Sequence, residues 1–189
     1  MKHVLLLELL ERLNQKDKPY RYIDTHAGAG LYDLSLAPAQ KSGEYVDGIH
    51  RLMHLSNPVI RQAPAQIQRY IGLVEQLRGE MGQGLYPGSP WFALQQLRAS
   101  DRATAFELQP DVHEELTFNM RDDRLGIHAR DAYEGLFGVI PPKEKRGLVM
   151  IDPPYEMERR DFPQLVELLF KAHQKWSTGV FAVWYPIKD

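Results

Sequence analysis

Short apolar runs alternate with amphipathic segments along most of the chain. Runs of strand length occur at Tyr20–Asp24, Thr104–Leu108, Leu125–Ala129, Gly147–Asp152 and Gly179–Tyr185. Segments with helical spacing of their apolar residues occur at Val4–Leu13, Asp111–Met120, Tyr133–Phe137 and Phe162–Trp176. Strands that alternate with helices, several of them nearly continuous in apolar residues, predict an α/β fold in which a mainly parallel sheet carries helices on both faces.

The interval between the first two predicted strands is too long for a simple crossover. Residues 25–103 separate these strands, whereas a crossover between parallel strands needs roughly a dozen residues. The interval contains helical patterns at Glu44–Leu55 and Ala65–Arg78. We therefore predict a single domain over residues 1–189 with a small helical insertion, residues 45–86, after the first strand.

A third helix of this interval is predicted to begin within the stretch "PGSP". Serine is a favoured N-cap residue, and proline is favoured at the first helical position. Ser89 is therefore the predicted N-cap, and Pro90 is the predicted first residue of the helix.

Composition excludes several classes of protein. The chain is 43% hydrophobic and 25% charged with a mean hydropathy of -0.42, values typical of an ordinary soluble globular protein. It has no apolar stretch of about 18 residues, so we expect no membrane span. The N-terminal apolar run is interrupted by Glu8, Glu11 and Arg12, which favours a helix over a signal peptide. Cysteine is absent, which excludes disulfides and thiolate sites and is typical of a cytoplasmic protein.

Charge and histidine spacing limit the possible ligands further. The formal net charge is -2, so any positive surface for nucleic acid has to be local. None of the seven histidines has the spacing of a metal-ligand motif, and we predict no metal site.

Glycines follow the first predicted strand in "DTHAGAG". Gly28 and Gly30 allow the backbone to approach a ligand closely at the end of this strand. A nicotinamide fingerprint has a third glycine where this chain has Asp33, and the Lys-Ser/Thr pair of a phosphate loop is absent. The loop suits a nucleoside ligand, although a simple glycine turn explains the same residues equally well.

Acidic residues follow the next two predicted strands. Glu107 is placed to accept hydrogen bonds from two ribose hydroxyls, and Asp131 is placed to accept one from an adenine amine. Asp131 is equally suited to cap the helix that follows it. Taken with the glycine loop, the acids favour an adenosine pocket.

The fourth predicted strand ends in Asp152-Pro153-Pro154-Tyr155. The Asp152 carboxylate and the Pro153 carbonyl can accept hydrogen bonds from an exocyclic amine and aim its lone pair at an activated methyl group. The prolines restrict the backbone, and Tyr155 offers a face for stacking a flipped base. The alternative is a strand exit that is stiffened by prolines. For the whole tetrapeptide we favour amine methylation.

These motifs resemble a known family. The segments "KDKPYRYIDTHAGAGLYDL", "SGEYVDGI", "YPGSP", "RGLVMIDPPYEM" and "WYP" are similar to those of the RlmJ-type methyltransferases. The resemblance implies a Rossmann-like class I methyltransferase fold. It also implies transfer of a methyl group from S-adenosyl-L-methionine to an adenine N6 amine of 23S ribosomal RNA, with protein-free RNA or a fragment of it as the partner.

The resemblance also assigns residues. It places the cofactor-binding positions at His3, His26, Ser89, Glu107, Asp131 and Ala132. It places the catalytic position at Asp152 and brings Lys2 near the cofactor or the base. From the residues alone, His3 would be an exposed histidine at a helix start, Ser89 an N-cap and His26 a polar loop residue.

Basic residues near the tetrapeptide are candidates for RNA contact. Arg159 and Arg160 follow it and are expected to hold phosphates, whereas the cluster formed by Lys143, Lys145 and Arg146 precedes the same strand and lies at its opposite end. Family members begin earlier, with a segment rich in His, Asn and Gly, and continue past "WYP". We therefore expect this chain to lack both the N-terminal and the C-terminal segments of the family.

Other functions fit parts of the same pattern. A DNA adenine methyltransferase shares the tetrapeptide. A protein glutamine methyltransferase typically has Asn where this chain has Asp152. A non-catalytic nucleic-acid-binding protein, or one used in external DNA utilisation, would keep the fold without needing Asp152 and Tyr155.

Overall fold

The structure is a computed structural model that describes residues 1–36, 46–53, 57–154 and 162–185. Tyr155, Arg159 and Arg160 lie outside the described residues, as does part of the predicted helix at Glu44–Leu55.

Five parallel strands form the central sheet. The strands are β1 (Arg21–Asp24), β4 (Arg102–Phe106), β5 (Leu125–His128), β6 (Gly147–Ile151) and β7 (Val180–Val183). Their order is β5-β4-β1-β6-β7, and all neighbours are parallel. The chain fills one side of β1 and then the other, so the strand order reverses at β1, where open α/β sheets bind ligands. The predicted Rossmann-like fold is confirmed.

Helices cover both faces of this sheet. They are α1 (Lys2–Asn14), α2 (Arg51–Met53), α3 (Asn57–Gln62), α4 (Ala65–Met81), α5 (Ser89–Leu94), α6 (Pro110–Asn119), α7 (Ala132–Val139) and α8 (Phe162–Lys175). A π-helical turn at Val46–His50 precedes α2. None of the helices in the described ranges combines the length and the apolar composition needed to cross a bilayer.

Strand β6, the most apolar strand, packs against helices on both faces of the sheet. Every residue of β6 is buried. Leu148 and Met150 join the core cluster under α1, α4 and α5, whereas Val149 and Ile151 join the cluster under α7 and α8. Alternate side chains of a strand point to opposite faces, so a strand covered on both faces has to be apolar throughout.

The structure contains a short antiparallel ribbon that the sequence patterns did not predict. Strands β2 (Leu31–Asp33) and β3 (Leu85–Pro87) pair with each other outside the main sheet. Each has three residues, which is too short for a period-2 pattern to be read. Asp33 stands where a nicotinamide fingerprint would have its third glycine. It ends β2 and accepts hydrogen bonds from the Ser35 amide and hydroxyl at 2.8 and 2.6 Å.

The predicted N-cap of α5 was wrong. Gly88 is the N-cap, Ser89 is the first helical residue, and Pro90 is the second. Gly88 is extended and donates its N–H to the carbonyl of Gly30 at 2.8 Å. This contact starts the helix one residue earlier and leaves the Ser89 hydroxyl available for another partner.

The segment between β2 and β3 packs into the main core. Tyr70, Ile71, Val74 and Leu77 of α4 belong to the same buried cluster as the apolar face of α1. The predicted helix at Ala65–Arg78 is therefore present, and it continues to Met81.

Asp101, which precedes β4, hydrogen-bonds Tyr20, which precedes β1, at the N-terminal edge of the sheet. Its carboxylate is fully buried and accepts hydrogen bonds from the backbone amides of Tyr20 and Arg98 at 3.0 and 2.8 Å. The Arg98 guanidinium adds an ion pair at 2.8 Å. Burial acts to raise the pKa of Asp101, but the hydrogen bonds from Arg98 and Tyr20 outweigh it and lower the pKa.

We predict that Asp101→Ala destabilises the protein by about 1–3 kcal/mol at neutral pH, because the buried amide of Tyr20 and the partly buried amide of Arg98 lose their acceptor. A lowered pKa in the folded state means that this contribution is present above about pH 4 and is lost as the pH falls through the folded pKa. Urea unfolding of the variant and the wild type at neutral pH and at acid pH measures the difference in their free energies of unfolding. Asp123→Ala, at an exposed position, is the control, and an equal loss at acid pH contradicts the prediction.

Candidate functional site

The last residue of the central strand lies at the bottom of the candidate site. Asp24 has no exposed surface. Its carboxylate accepts a hydrogen bond from the Tyr22 hydroxyl at 2.6 Å and a longer one from the His26 amide at 3.3 Å. Ser89 provides a further hydrogen bond, so the hydroxyl expected to cap α5 stabilises this carboxylate instead.

Burial raises the pKa of Asp24. The hydrogen bonds from Ser89 and Tyr22 and the charge of Lys2 act in the opposite direction, but they do not cancel the loss of hydration. The charge of Asp152 raises this pKa further. A buried carboxylate with a raised pKa in a cleft is a feature of functional sites.

Several acids from different strand ends lie around His26. The charges of Asp24, Asp152, Glu107 and Asp131 all act on the His26 ring, although burial of the ring dominates and lowers its pKa. The Thr25 hydroxyl lies 2.7 Å from its Nδ1 atom. Glu107 follows β4 and Asp152 follows β6, the two strands that flank β1, and Asp131 follows β5, so the topology brings the predicted acids to the C-terminal edge of the sheet.

Glu107 holds the glycine loop. One of its oxygens accepts the Gly28 amide at 3.0 Å, and the other accepts the Gln109 amide at 2.9 Å. Both oxygens are thereby oriented, and each keeps a lone pair for a further donor. The predicted strand Thr104–Leu108 is shifted by two residues, so Glu107 follows β4 directly.

Asp131 caps α7, as one of its two sequence interpretations predicted. Its Oδ1 atom accepts the amides of Tyr133 and Glu134 at 2.7 and 3.2 Å. Within the described part of the chain, the Oδ2 atom takes no hydrogen bond. Ala132, the first residue of α7, is buried in the core under α7 and α8.

The two loop glycines are required by contacts inside the protein. Gly28 has a φ of +61°, and a Cβ there would lie 2.0 Å from the Tyr32 hydroxyl. Gly30 has a φ of +74°, and a Cβ there would lie 2.8 Å from Met120. The left-handed conformation at both positions disfavours any residue with a Cβ atom.

Lys2 and Asp152 form an ion pair at the mouth of the site. The Nζ atom of Lys2 donates to Oδ2 of Asp152, and both side chains are mostly covered. Asp152 follows the buried strand β6, and Pro153 is buried behind it. The first helix therefore reaches the end of β6.

His3 is buried and not an exposed residue at a helix start. Its Nδ1 atom lies 2.7 Å from the Tyr86 hydroxyl, which lies 2.9 Å from the hydroxyl of Tyr70. Its Nε2 atom is buried without a hydrogen-bond partner among the described residues. Burial lowers the pKa of His3 well below its usual range, so the ring is neutral at pH 7.

Comparisons with known proteins agree with this geometry. A family model described as ribosomal RNA large subunit methyltransferase D, RlmJ, matches residues 17–189. Ribosomal RNA large subunit methyltransferase J of Haemophilus influenzae is 37% identical over 99% of this chain and 65% of its own length. The protein of that name in Escherichia coli is 36% identical over the same shares. The chain belongs to the RlmJ family.

A solved structure supports the same assignment. The crystal structure of a Legionella pneumophila protein matches with a TM-score of 0.83 and 35% identity, covering 98% of this chain and 67% of that one. The present chain spans about two thirds of the length of its RlmJ relatives, 65% in both curated cases.

Sequence reasoning missed some residues of the site. Asp24 and Tyr86 lie within motifs that were singled out, "DTHAGAG" and "YPGSP", but neither was assigned a role. A carboxylate that ends the central strand is a signal that identifies Asp24. Tyr22 and Tyr32 carry no comparable local signal, because their partners lie elsewhere in the fold.

We predict that Asp24→Asn gains stability relative to the wild type as the pH is raised from about 3 to about 7. A raised pKa in the folded state means that stability is fully present below the unfolded pKa of about 4 and is lost as the pH rises through the folded pKa. Asparagine stays neutral and escapes this loss. Unfolding free energies of both proteins across this pH range test the prediction, and a constant difference contradicts it.

Proposed function

We propose that this chain transfers a methyl group from S-adenosyl-L-methionine to an adenine N6 amine of 23S ribosomal RNA. The observation that supports the proposal is that Glu107 and Asp152 follow the two strands that flank β1, and that Glu107 accepts the amide of Gly28 in the loop after β1. In this proposal, residues 1–189 are one methyltransferase domain, residues 45–86 are its helical insertion, and the protein acts in the cytoplasm.

The pocket residues fit the proposed cofactor. Glu107 presents two oriented oxygens to a ribose, Asp131 keeps its Oδ2 atom for an adenine amine, and His3 has an unpartnered Nε2 atom. A buried polar atom without a partner is uncommon in proteins, so the His3 atom supports a polar ligand here. When bound, the cofactor supplies an activated methyl group on a sulfonium.

Asp152 is proposed to bind the amine that is methylated. An exocyclic adenine amine is a poor nucleophile, because its lone pair is delocalised into the ring. Acceptors such as the Asp152 carboxylate and the Pro153 carbonyl hold its protons and orient the lone pair. The negative charge of Asp152 also favours the positive charge that develops on the nitrogen.

Lys2 occupies the same acceptor in the structure. Its ammonium donates to the Oδ2 atom of Asp152, which is the type of hydrogen bond that an incoming amine would make. We propose that the substrate amine shares or replaces this contact. We further propose that Tyr155 stacks on the base, and that Arg159 and Arg160 hold phosphates of the RNA.

Asp152→Ala is predicted to reduce methyl transfer roughly 100-fold or more, the scale found when one charge-stabilising group is removed. Cofactor affinity should change little, because Glu107 and Asp131 are intact. Incorporation of labelled methyl groups into unmodified 23S ribosomal RNA fragments measures the first effect, and calorimetry with S-adenosylhomocysteine measures the second. Asp123→Ala is the matched control.

The same assay separates the alternative functions. Transfer to duplex DNA but not to RNA favours a DNA adenine methyltransferase. Nucleic-acid binding without transfer favours a non-catalytic binding protein. Absence of cofactor binding at millimolar concentration overturns the proposal.

Glu107→Gln is predicted to weaken cofactor binding roughly 10- to 100-fold, because hydrogen bonds to a charged group contribute about 1.5–3 kcal/mol. Glu114→Gln removes the same charge from an exposed position of α6 and should leave the affinity unchanged. Calorimetric titration with S-adenosylhomocysteine compares the two variants. Equal affinities for both would rule out ribose binding by Glu107.

A further inference from the structure

Tyr32 lies over the glycine loop. It is the middle residue of β2 and pairs with Tyr86 of β3 across the ribbon. Its hydroxyl lies where a side chain at Gly28 would begin, 2.0 Å from the position of such a Cβ atom. The space directly against the Gly28 backbone is therefore filled by the phenol.

The hydroxyl end of Tyr32 lies at Gly28, whose amide donates to Glu107 at 3.0 Å. Burial and the charges of Asp24 and Glu107 raise its pKa to about 12, and Asp152 contributes in the same direction. The Ala29 backbone amide is a hydrogen-bond partner of the phenol. The side chain thus engages the same loop that the proposed cofactor has to approach.

The ring of Tyr32 is not fixed by the core. The residue is 39% exposed, whereas Tyr20 and Tyr22 are almost completely buried. Exposed side chains change rotamer on the picosecond to nanosecond timescale. Tyr32 belongs to neither of the two core clusters, so its ring can turn toward solvent once its hydroxyl leaves Gly28 and its edge leaves Gly88.

We propose that Tyr32 is a gate for the cofactor, whose phenol closes over Gly28 and has to turn away before the ligand contacts the loop. The inference rests on the proposed function, since it takes S-adenosyl-L-methionine as the ligand. A site that is competent only in its open state binds with an affinity reduced by the open fraction. Tyr32 therefore sets the affinity for the cofactor without taking part in the chemistry.

The hydroxyl is the part of the gate that can be removed alone. Tyr32→Phe deletes the hydrogen bond to Ala29, which favours the open state, so S-adenosylhomocysteine should bind roughly two- to tenfold more tightly, the range of one neutral hydrogen bond. Tyr32→Leu keeps a residue suited to a strand and removes the ring, so it should bind at least as tightly. In methyl transfer, KM for S-adenosyl-L-methionine should fall while kcat is unchanged.

Tyr20→Phe is the matched control for the calorimetric titration. It deletes a phenol hydroxyl that lies 3.4 Å from the backbone carbonyl of Gln96, at the opposite edge of the sheet, and should leave the affinity unchanged. Weaker binding by Tyr32→Phe would show that the phenol contacts the cofactor and would overturn the gate. Equal binding would also overturn it.

The outcomes separate the gate from the proposed function. If the wild type binds S-adenosylhomocysteine and the Tyr32 variants bind it equally well, only the gate fails. If no variant binds at millimolar concentration, the proposed function fails and the gate fails with it.

Discussion

The buried carboxylate of Asp24 is the constraint on which the site depends. It ends the central strand with no contact to water, and burial raises its pKa. Such a group is tolerated only where donors surround it. The Tyr22 hydroxyl, the His26 amide and Ser89 are those donors. Their positions fix how β1, its following loop and α5 meet.

The pKa of a buried aspartate is shifted in opposite directions at the two edges of the central sheet. At the N-terminal edge, Asp101 receives two backbone amides and a guanidinium, and its pKa is lowered. At the C-terminal edge, burial of Asp24 outweighs its hydrogen bonds, the charge of Asp152 acts in the same direction as burial, and the pKa of Asp24 is raised. At neutral pH, the charge of Asp101 at one edge raises the free energy of unfolding, whereas the charge of Asp24 at the other edge lowers it. Stability is commonly reduced at sites that serve chemistry.

The sequence predicted the sheet well because the strands are defined locally. A parallel strand covered on both faces is a continuous apolar run, and β6 is such a run. The acids after β4, β5 and β6 could be located from chain position alone, because the carboxyl ends of parallel strands share one edge. Strand ends were less accurate, as the shift of β4 shows.

What the sequence did not reveal depends on contacts between distant residues. The local sequence predicts Ser89 as an N-cap. In the structure, a hydrogen bond from Gly88 to Gly30 moves the start of the helix, and Ser89 interacts with Asp24. From the sequence, Gly28 was interpreted as a ligand contact, whereas in the structure the Tyr32 hydroxyl occupies the space where a Cβ atom at Gly28 would lie. The ribbon that carries Tyr32 pairs residues 31–33 with residues 85–87, and no local pattern marks such a pair.

The contact between His3 and Tyr86 has a consequence for the tautomer of the histidine. A neutral imidazole carries one proton, so Nε2 is a donor when Nδ1 accepts from Tyr86 and an acceptor when Nδ1 donates to it. Tyr70 is the next hydroxyl in the series, and the direction of its hydrogen bond orients that of Tyr86. A tyrosine on α4, remote in sequence from His3, thereby sets whether the unpartnered atom of His3 offers a proton or a lone pair.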